Sequence, residues 1–389
     1  MIKALRKRAS VTVVCFSDSP DTSVKDAAED GFEVVLTPHR AGLVRKIGNA
    51  VVQMARGVPL QYTFLDTPHM REILRVRGRR MDAIVVQELS MVGVAMSAGI
   101  HRTVPTILDE LNAEHLRAVD VRPIIIGTQA RIRHELHTRA LHRFEPWAVA
   151  RMSGCIFVSQ TDQQSVMEAA GYPPVPSIVL PSGVRTGSRS VMAKTQSGRN
   201  PVVSFVGAFD YAPNEFGAQW LVQDVMPQVR RAVTAELHLI GRRPPSSISA
   251  MRELEWVRLY EDVPDASFVA PLLAASDVVV VPIHHGGGTK LKLVEGLASG
   301  TPVVTTTAGA QGVDVRHGQH VLIADDAGSF AAAILQLLRD RRLSDSLVEQ
   351  ARILAELYSW DRIGAQYAEF VLSVAERRKT VPPTDRRAI

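Results

Sequence analysis

Two cysteines in 389 residues exclude a disulfide-built scaffold and a cysteine-ligated metal centre. Cys15 and Cys155 lie far apart, each in an apolar run, and read as buried free thiols of a reducing compartment. Aromatic residues make up only 5% of the chain. No aromatic-plus-basic module accompanies the cations, so nucleic acid is not expected as a partner. No apolar run approaches the ~18 residues of a membrane span, and no secretory pattern is visible, so a cytoplasmic protein is expected. No Gly-x-Gly-x-x-Gly follows a strand, which disfavours a dinucleotide-dependent dehydrogenase. No Asp-x-Asp and no His/Cys cluster stands in a loop, so neither a metal nor a resident cofactor is implied.

What is present is an ordinary globular composition, 46% hydrophobic and 22% charged. The length implies two domains rather than one core. The net charge of +5 is concentrated at the ends: Lys3, Arg6, Lys7 and Arg8 open the chain, and Arg377, Arg378, Lys379, Arg386 and Arg387 close it. These runs read either as solvated ends or as an attachment to an anionic leaflet, at about 1 kcal/mol per cation near the surface. The second reading places the protein peripherally at the inner face of a membrane.

Apolar β-branched runs alternate with helical patterns along the whole chain, which means parallel sheets and two doubly wound α/β domains. Residues 2–8 suggest a short basic helix, 11–16, 34–36 and 83–86 strands, and 43–55 a helix. Thr67 with Pro68 marks a helix start. Residues 106–108 form a strand running into Asp109-Glu110-Leu111-Asn112, and a long histidine-bearing helix covers about 130–152. Residues 185–200 have the composition of a linker. The expected division is 1–184, a linker over 185–200, 201–359, a helix over 360–375 and a basic tail over 376–389.

The most informative stretch is Val278-Val279-Val280-Val281, then Pro282-Ile283-His284-His285-Gly286-Gly287-Gly288, then Thr289-Lys290-Leu291-Lys292-Leu293-Val294-Glu295. A β-branched run of this kind fits a strand covered on both faces. Three glycines allow close backbone approach to a ligand, and the N–H groups at the helix start make an anion site. Lys292 and Glu295, three apart, share one helix face. A strand-to-helix turn that merely packs is the plainer alternative.

Phe205-Val206-Gly207-Ala208-Phe209-Asp210-Tyr211-Ala212-Pro213-Asn214, the stretch just described, and Glu295-Gly296-Leu297-Ala298-Ser299-Gly300-Thr301-Pro302-Val303-Val304 together resemble the retaining, nucleotide-sugar-dependent glycosyltransferases of family four. The likeness is clear over about 200–361 and looser over 11–184, where Asp109-Glu110-Leu111-Asn112 is similar to an Asp-Glu-His-Asn element of one subgroup. The resemblance implies the GT-B fold: two Rossmann-like domains facing across a cleft, with Trp360 and the helix after it crossing back to the N-terminal domain. It implies a nucleotide-diphosphate sugar as co-substrate bound by the C-terminal domain, and a glycan or lipid-linked acceptor bound by the N-terminal one.

Carried over by position, Glu295 matches the glutamate that bonds the ribose hydroxyls, while Gly286, Gly287, Gly288 and Thr289 match the turn that meets donor sugar and diphosphate. Lys292 matches a lysine that neutralises the leaving diphosphate; Lys290 is its rival, and the face shared with Glu295 favours Lys292. Gly207 would admit the diphosphate beside the first strand of the second domain, or would simply pack. Arg242 and Arg243 follow a strand end and serve as helpers, and Asn214 either bonds a phosphate or shapes its turn. Glu110 and Asn112 are the acceptor-side candidates.

Three departures stand out. Gly287 occupies the place of a second family glutamate. Ala208 and the Pro213-Asn214 pair occupy places where an arginine and a lysine are common. Leu111 occupies the place of the subgroup histidine; His115, one turn on, either substitutes for it or is a surface residue. The chain also opens in what resembles the helix after the usual first strand, so that strand is expected to be missing, most simply because the true start lies upstream. Two further readings remain beside a transferase: a nucleotide-sugar epimerase or hydrolase on the same fold, and an inactive GT-B subunit that binds or scaffolds.

Overall fold

The β-branched runs become strands, all parallel to their neighbours, in a computed structural model. The structure describes residues 1–17, 33–38, 57–122, 125, 127–171, 175–186, 198–261, 263, 266–285 and 291–380. The expected helix over 43–55 and most of the expected linker over 185–200 lie outside them. The chain divides into two units: Met1–Val119, Ile126–Leu180 and Ile363–Ile389 form the first, and Asp120–Ile125 with Pro181–Arg362 the second.

The first unit opens with helix α1 (Ile2–Arg6) and strand β1 (Thr12–Ser17), which pairs in parallel with β2 (Glu33–Pro38). Helix α2 (Pro68–Val76) starts where Thr67 and Pro68 predict, with the Thr67 hydroxyl accepting the Met70 N–H at 3.2 Å. A second sheet runs β3 (Ile84–Gln87), β4 (Thr106–Glu110), β5 (Gly154–Phe157) and β6 (Ser177–Val179) in chain order. Among the described residues no strand joins β1–β2 to β3–β6. Helices α3 (Val92–Ala98), α4 (Glu114–Val121), α5 (Thr128–Val149) and α6 (Gln160–Ala170) accompany this sheet. Its core gathers Leu108, Leu141, Phe144, Phe157 and Val166, with the fully buried Cys155 of β5 among them.

The second unit holds one six-stranded sheet. Its strands are β7 (Val202–Ala208), β8 (Glu236–Arg242), β9 (Val257–Tyr260), β10 (Val278–Val281), β11 (Val303–Thr305) and β12 (Leu322–Ile323), in the order β12-β11-β10-β7-β8-β9. The chain runs outward from β7 to β9 and then returns to the other side of β7, so the order reverses between β7 and β10. In open parallel sheets such a switch point opens a crevice at the carboxyl ends of the strands. Where the sequence suggests one helix over 217–229, the structure has α7 (Ala212–Trp220), a π-turn over Leu221–Val225, and α8 (Met226–Ala232). Pro227, lacking an N–H, accounts for the interruption. Helices α9 (Ala266–Ala274), α10 (Leu291–Ala298), α11 (Ala327–Arg339) and α12 (Arg341–Glu356) follow. The last helix, α13 (Trp360–Thr380), belongs to the first unit from Ile363 onward.

Candidate functional site

Because the six strands of the second unit are parallel, Gly207, Arg242, Ile283 and Thr306 leave its sheet at one edge. At that edge β10, buried at all four positions, leads through Pro282–His285 toward α10. The residues Gly286, Gly287, Gly288, Thr289 and Lys290 lie outside the described residues. α10 turns Leu293, Val294, Gly296 and Leu297 into the core. Gly296 lets the helix sit close: a Cβ there would stand 3.2 Å from both Val279 Cγ1 and Val303 Cγ2, a tight contact. That close seat on β10 and β11 leaves Lys292 and Glu295 half-buried on the opposite side of the helix.

Burial lowers the Lys292 ammonium to a pKa of about 8 against the pull of Glu295. Burial likewise raises Glu295 to about 7 against the pull of Lys292. The helix therefore holds a cation and a carboxylate that sense each other, each partly stripped of water, beside the switch point.

Gly207 faces Gly241 in the β7–β8 register. A Cβ on Gly241 would run into the Gly207 carbonyl oxygen, and one on Gly207 would lie 2.9 Å from Cγ of Asn214. Asn214 is 4% exposed and donates from Nδ2 to the Ala208 carbonyl at 2.7 Å, while its Oδ1 is buried without a partner. It shapes the turn from β7 into α7. Arg242 is exposed at the end of β8, and its carbonyl accepts the Phe209 N–H at 3.0 Å. Arg243 adopts φ +49° and pairs with Asp210 at 2.8 Å.

A group the sequence reading passed over stands just after the end of β10. His284 meets the Trp220 ring at 4.6 Å and the Phe216 ring at 5.6 Å, both edge-on, and His285 meets Phe216 at 5.8 Å. Burial lowers the His284 pKa, and its Nδ1 is buried with no partner. The signal was the pair of histidines immediately after a strand end; the aromatic residues from α7 that complete the wall have no sequence mark.

In the first unit, the candidate acceptor-side residues gather at the ends of β3 and β4. Asp109 is buried, and the Tyr367 hydroxyl of α13 donates to its Oδ2 at 3.0 Å. Its pKa is raised by burial, against bonds from Tyr367 and Gln87. Glu110 is fully buried and faces Glu145 of α5 rather than solvent. Burial, then the neighbouring Glu145 charge, pushes its pKa well up. Glu145 is driven the other way: burial opposes ionisation, but bonds from His115 and Glu110 outweigh it.

Glu145 accepts the backbone N–H groups of Glu114 at 2.6 Å and His115 at 3.0 Å, and so caps α4 from another helix. It also bonds His115 Nδ1, whose Nε2 meets the Ser165 hydroxyl at 2.9 Å. His115, 4% exposed, is a buried linker between α4, α5 and α6, and the surface reading of it is corrected. Asn112 stands half-exposed in the loop between β4 and α4. Glu88, just after β3, takes φ +68° and ψ 143°, a region other residues leave to glycine, with an exposed side chain. Among the described residues no group of three His, Cys, Asp or Glu is placed to hold a metal ion.

Comparison with known proteins follows the same division. Residues 200–340 match the family described as glycosyl transferases group 1. The chain is 28% identical over 239 residues to the phosphatidyl-myo-inositol mannosyltransferase of Mycobacterium leprae, covering 59% of this chain and 61% of that protein. It is 28% identical over 270 residues to the D-inositol 3-phosphate glycosyltransferase of Geodermatophilus obscurus, covering 62% and 58%. The matches thus span about three fifths of the length of these curated relatives. Among solved structures, Anabaena Alr3699/HepE in complex with UDP and glucose superposes with a TM-score of 0.64 at 17% identity over 95% of this chain and 94% of that one. Sucrose-phosphate synthase from Thermosynechococcus elongatus gives 0.69 at 17% identity over 97% and 92%. The fold is GT-B, α/β with two Rossmann-like units.

Proposed function

We propose that the chain is a glycosyltransferase that moves a sugar from a nucleotide-diphosphate sugar to a glycan or lipid-linked acceptor with retention of anomeric configuration. The observation that carries this reading is the Lys292–Glu295 pair on α10, beside the switch point of the second unit's sheet. Glu295 accepts the two ribose hydroxyls as a carboxylate, in charge-assisted bonds. Lys292 neutralises the diphosphate as the anomeric bond breaks, and a group placed on developing charge in this way is typically worth ~3 kcal/mol. The side-chain space at Gly207 is taken by Asn214, so that glycine packs, and the donor phosphates are left to Lys292 with the exposed Arg242 at the end of β8.

On the acceptor side, Asn112 and Glu88 carry side chains toward solvent. Glu110, buried against Glu145, positions the loop rather than touching an acceptor itself. The chemistry needs no metal or resident cofactor when the cation of Lys292 meets the leaving group. The UDP and glucose of HepE support a UDP-sugar donor, and the names of the curated relatives support an inositol-type or lipid-linked acceptor. The basic start of the chain favours work at the inner, anionic face of a membrane.

The test is a thermal-shift screen of wild type and Glu295→Ala against UDP-, GDP- and dTDP-sugars, followed by acceptor-dependent donor consumption. A ligand at a hundred times its dissociation constant adds about 2.7 kcal/mol of stability. Stabilisation by one nucleotide, lost in Glu295→Ala, and turnover only with acceptor are expected. Turnover to free sugar without acceptor would instead make it a hydrolase. Donor binding without turnover would make it a scaffold, and no stabilisation by any nucleotide sinks the reading.

A further inference from the structure

An exposed aromatic ring stands at the switch point of the second unit. The strands that flank the reversal are β7 and β10; Phe216 lies on α7, which follows β7, while His284 and His285 lie in the chain leaving β10. α7 turns Pro213, Asn214, Gly217 and Ala218 into the core. It sits directly on the end of β10, since a Cβ on Gly217 would stand 2.6 Å from the Pro282 carbonyl oxygen. Phe216 takes no part in that packing and is 39% exposed. Helical side chains lean toward the helix start, which here is the carboxyl edge of the sheet. The ring meets both imidazoles edge-on, at 5.6 Å and 5.8 Å, so neither stacks over it. Trp220, one turn on, backs His284 at 4.6 Å and is anchored on the buried Phe330 of α11 at 5.0 Å.

Crossovers between parallel strands are right-handed. The steps from β7 to β8 and from β10 to β11 run in opposite directions across the sheet, so α7 and α10 cover opposite faces. The crevice therefore has two lips, Lys292 with Glu295 on one and Phe216 with the two histidines on the other. The lips differ in charge. α7 contains no Lys or Arg, and its one acid, Glu215, accepts bonds from Ser247 and Gln219. Burial, then the neighbouring His285, holds the His284 pKa down against the pull of Asp325. A neutral aromatic lip suits the uncharged end of a donor rather than its diphosphate.

We infer, resting on the donor reading above, that the Phe216 ring binds the C–H face of the donor's pyranose and so selects the sugar that is transferred. Along α10, Glu295 takes the ribose and Lys292 takes the diphosphate about 4.5 Å nearer the helix start. The sugar is the next part of the donor, and the next groups in that direction are those at the end of β10. A pyranose carries hydroxyls at its rim and C–H bonds on its faces. Those hydrogens bear slight positive charge and meet the negative face of an aromatic ring. A sugar with an axial hydroxyl on that face loses the contact.

The experiment measures dissociation constants by thermal-shift titration of the full chain with UDP, GDP and dTDP, and with UDP-glucose, GDP-mannose and dTDP-glucose. For whichever pair binds wild type, Phe216→Ala should weaken the sugar nucleotide about tenfold and leave its nucleoside diphosphate unchanged. Phe216→Leu, which keeps apolar bulk without a ring face, should weaken the sugar nucleotide about fivefold. The ring is exposed, so unchanged melting curves without ligand are expected and serve as the folding control. Wild-type affinity for the sugar nucleotide in either variant overturns the proposal. Equal weakening of nucleotide and sugar nucleotide overturns it too, by moving the ring to the base, as does a wild type that binds a nucleoside diphosphate but no sugar nucleotide. Each of these outcomes leaves a nucleotide site standing. A wild type that binds none of the ligands sinks the donor reading, and this assignment with it.

Discussion

Lys292 and Glu295 set opposite pH limits on the same site. The ammonium is lost as pH rises through about 8, and the carboxylate is lost as pH falls through about 7. Donor affinity is therefore expected to peak between these values and fall on both sides, measurable as the nucleotide-induced melting shift at a series of pH values. The linkage to stability has the opposite sense. Between pH 4.5 and about 7 the folded state binds the Glu295 proton more tightly than the unfolded chain does, so stability falls as pH rises. Between about 8 and 10.5 the unfolded chain holds the Lys292 proton more tightly, so stability rises with pH. Without ligand, this pair contributes a stability minimum between pH 7 and 8, of order 3 kcal/mol per group. Replacing Lys292 and Glu295 together by Met and Gln should remove the minimum and abolish donor binding.

Gly241 tests the sheet edge. Its Cβ would overlap the Gly207 carbonyl, so Gly241→Ala must push β8 from β7. A loss above about 2 kcal/mol in denaturant melts is expected, as for other overpacked sites. A wild-type midpoint would refute the close approach. Spacing alone displayed Lys292 and Glu295, because both lie within one helical turn. The Glu110–Glu145–His115 network was hidden, because it joins residues about 30 apart in sequence through the packing of α4 on α5. His284 with Trp220 and Phe216 was hidden for the same reason.

Among the elements, α13 shows how a terminal helix is held by more than its apolar stripe. Of the apolar face Ile363, Tyr367, Phe370 and Val371, all but the half-buried Phe370 are buried, but the bond from Tyr367 to Asp109 depends on a strand far away in sequence. Tyr367→Phe should cost about 1–3 kcal/mol, since it leaves a buried carboxylate short of a donor. It should also raise the already raised Asp109 pKa further. Truncation after Ser359 should lower the melting temperature far more, and an unchanged curve would rule out a stabilising role for the helix. The strands were the most legible elements, because buried parallel strands are bare apolar runs; Val278–Val281 and Val202–Ala208 lie where the runs are. Helices α3 and α4 were not legible. α3 is short and buried almost throughout, so it lacks amphipathic contrast. α4 takes its cap from Glu145, a residue of another helix, so no local start signal exists.

For the whole molecule, the division into two units of comparable size leads us to expect two thermal transitions. A nucleotide that binds the second unit should shift only the transition that its Lys292→Met variant also perturbs, leaving the signal from β3–β6 in place. Calorimetry with and without donor tests this, and a uniform shift of both transitions would refute independent unfolding.

Cys155 gives that comparison an internal clock. It lies fully buried in β5, hydrogen-bonded between β4 and β6, and burial raises its thiol pKa well above the ordinary value. Only the thiolate reacts with alkylating reagents, so Cys155 is doubly protected while the β3–β6 sheet is intact. Cys15, half-exposed on β1, has only a modest barrier. Pulsed alkylation with mass readout should thus show two rates in one chain: a fast one for the two-stranded leaf, and a slow one that times the opening of the larger sheet.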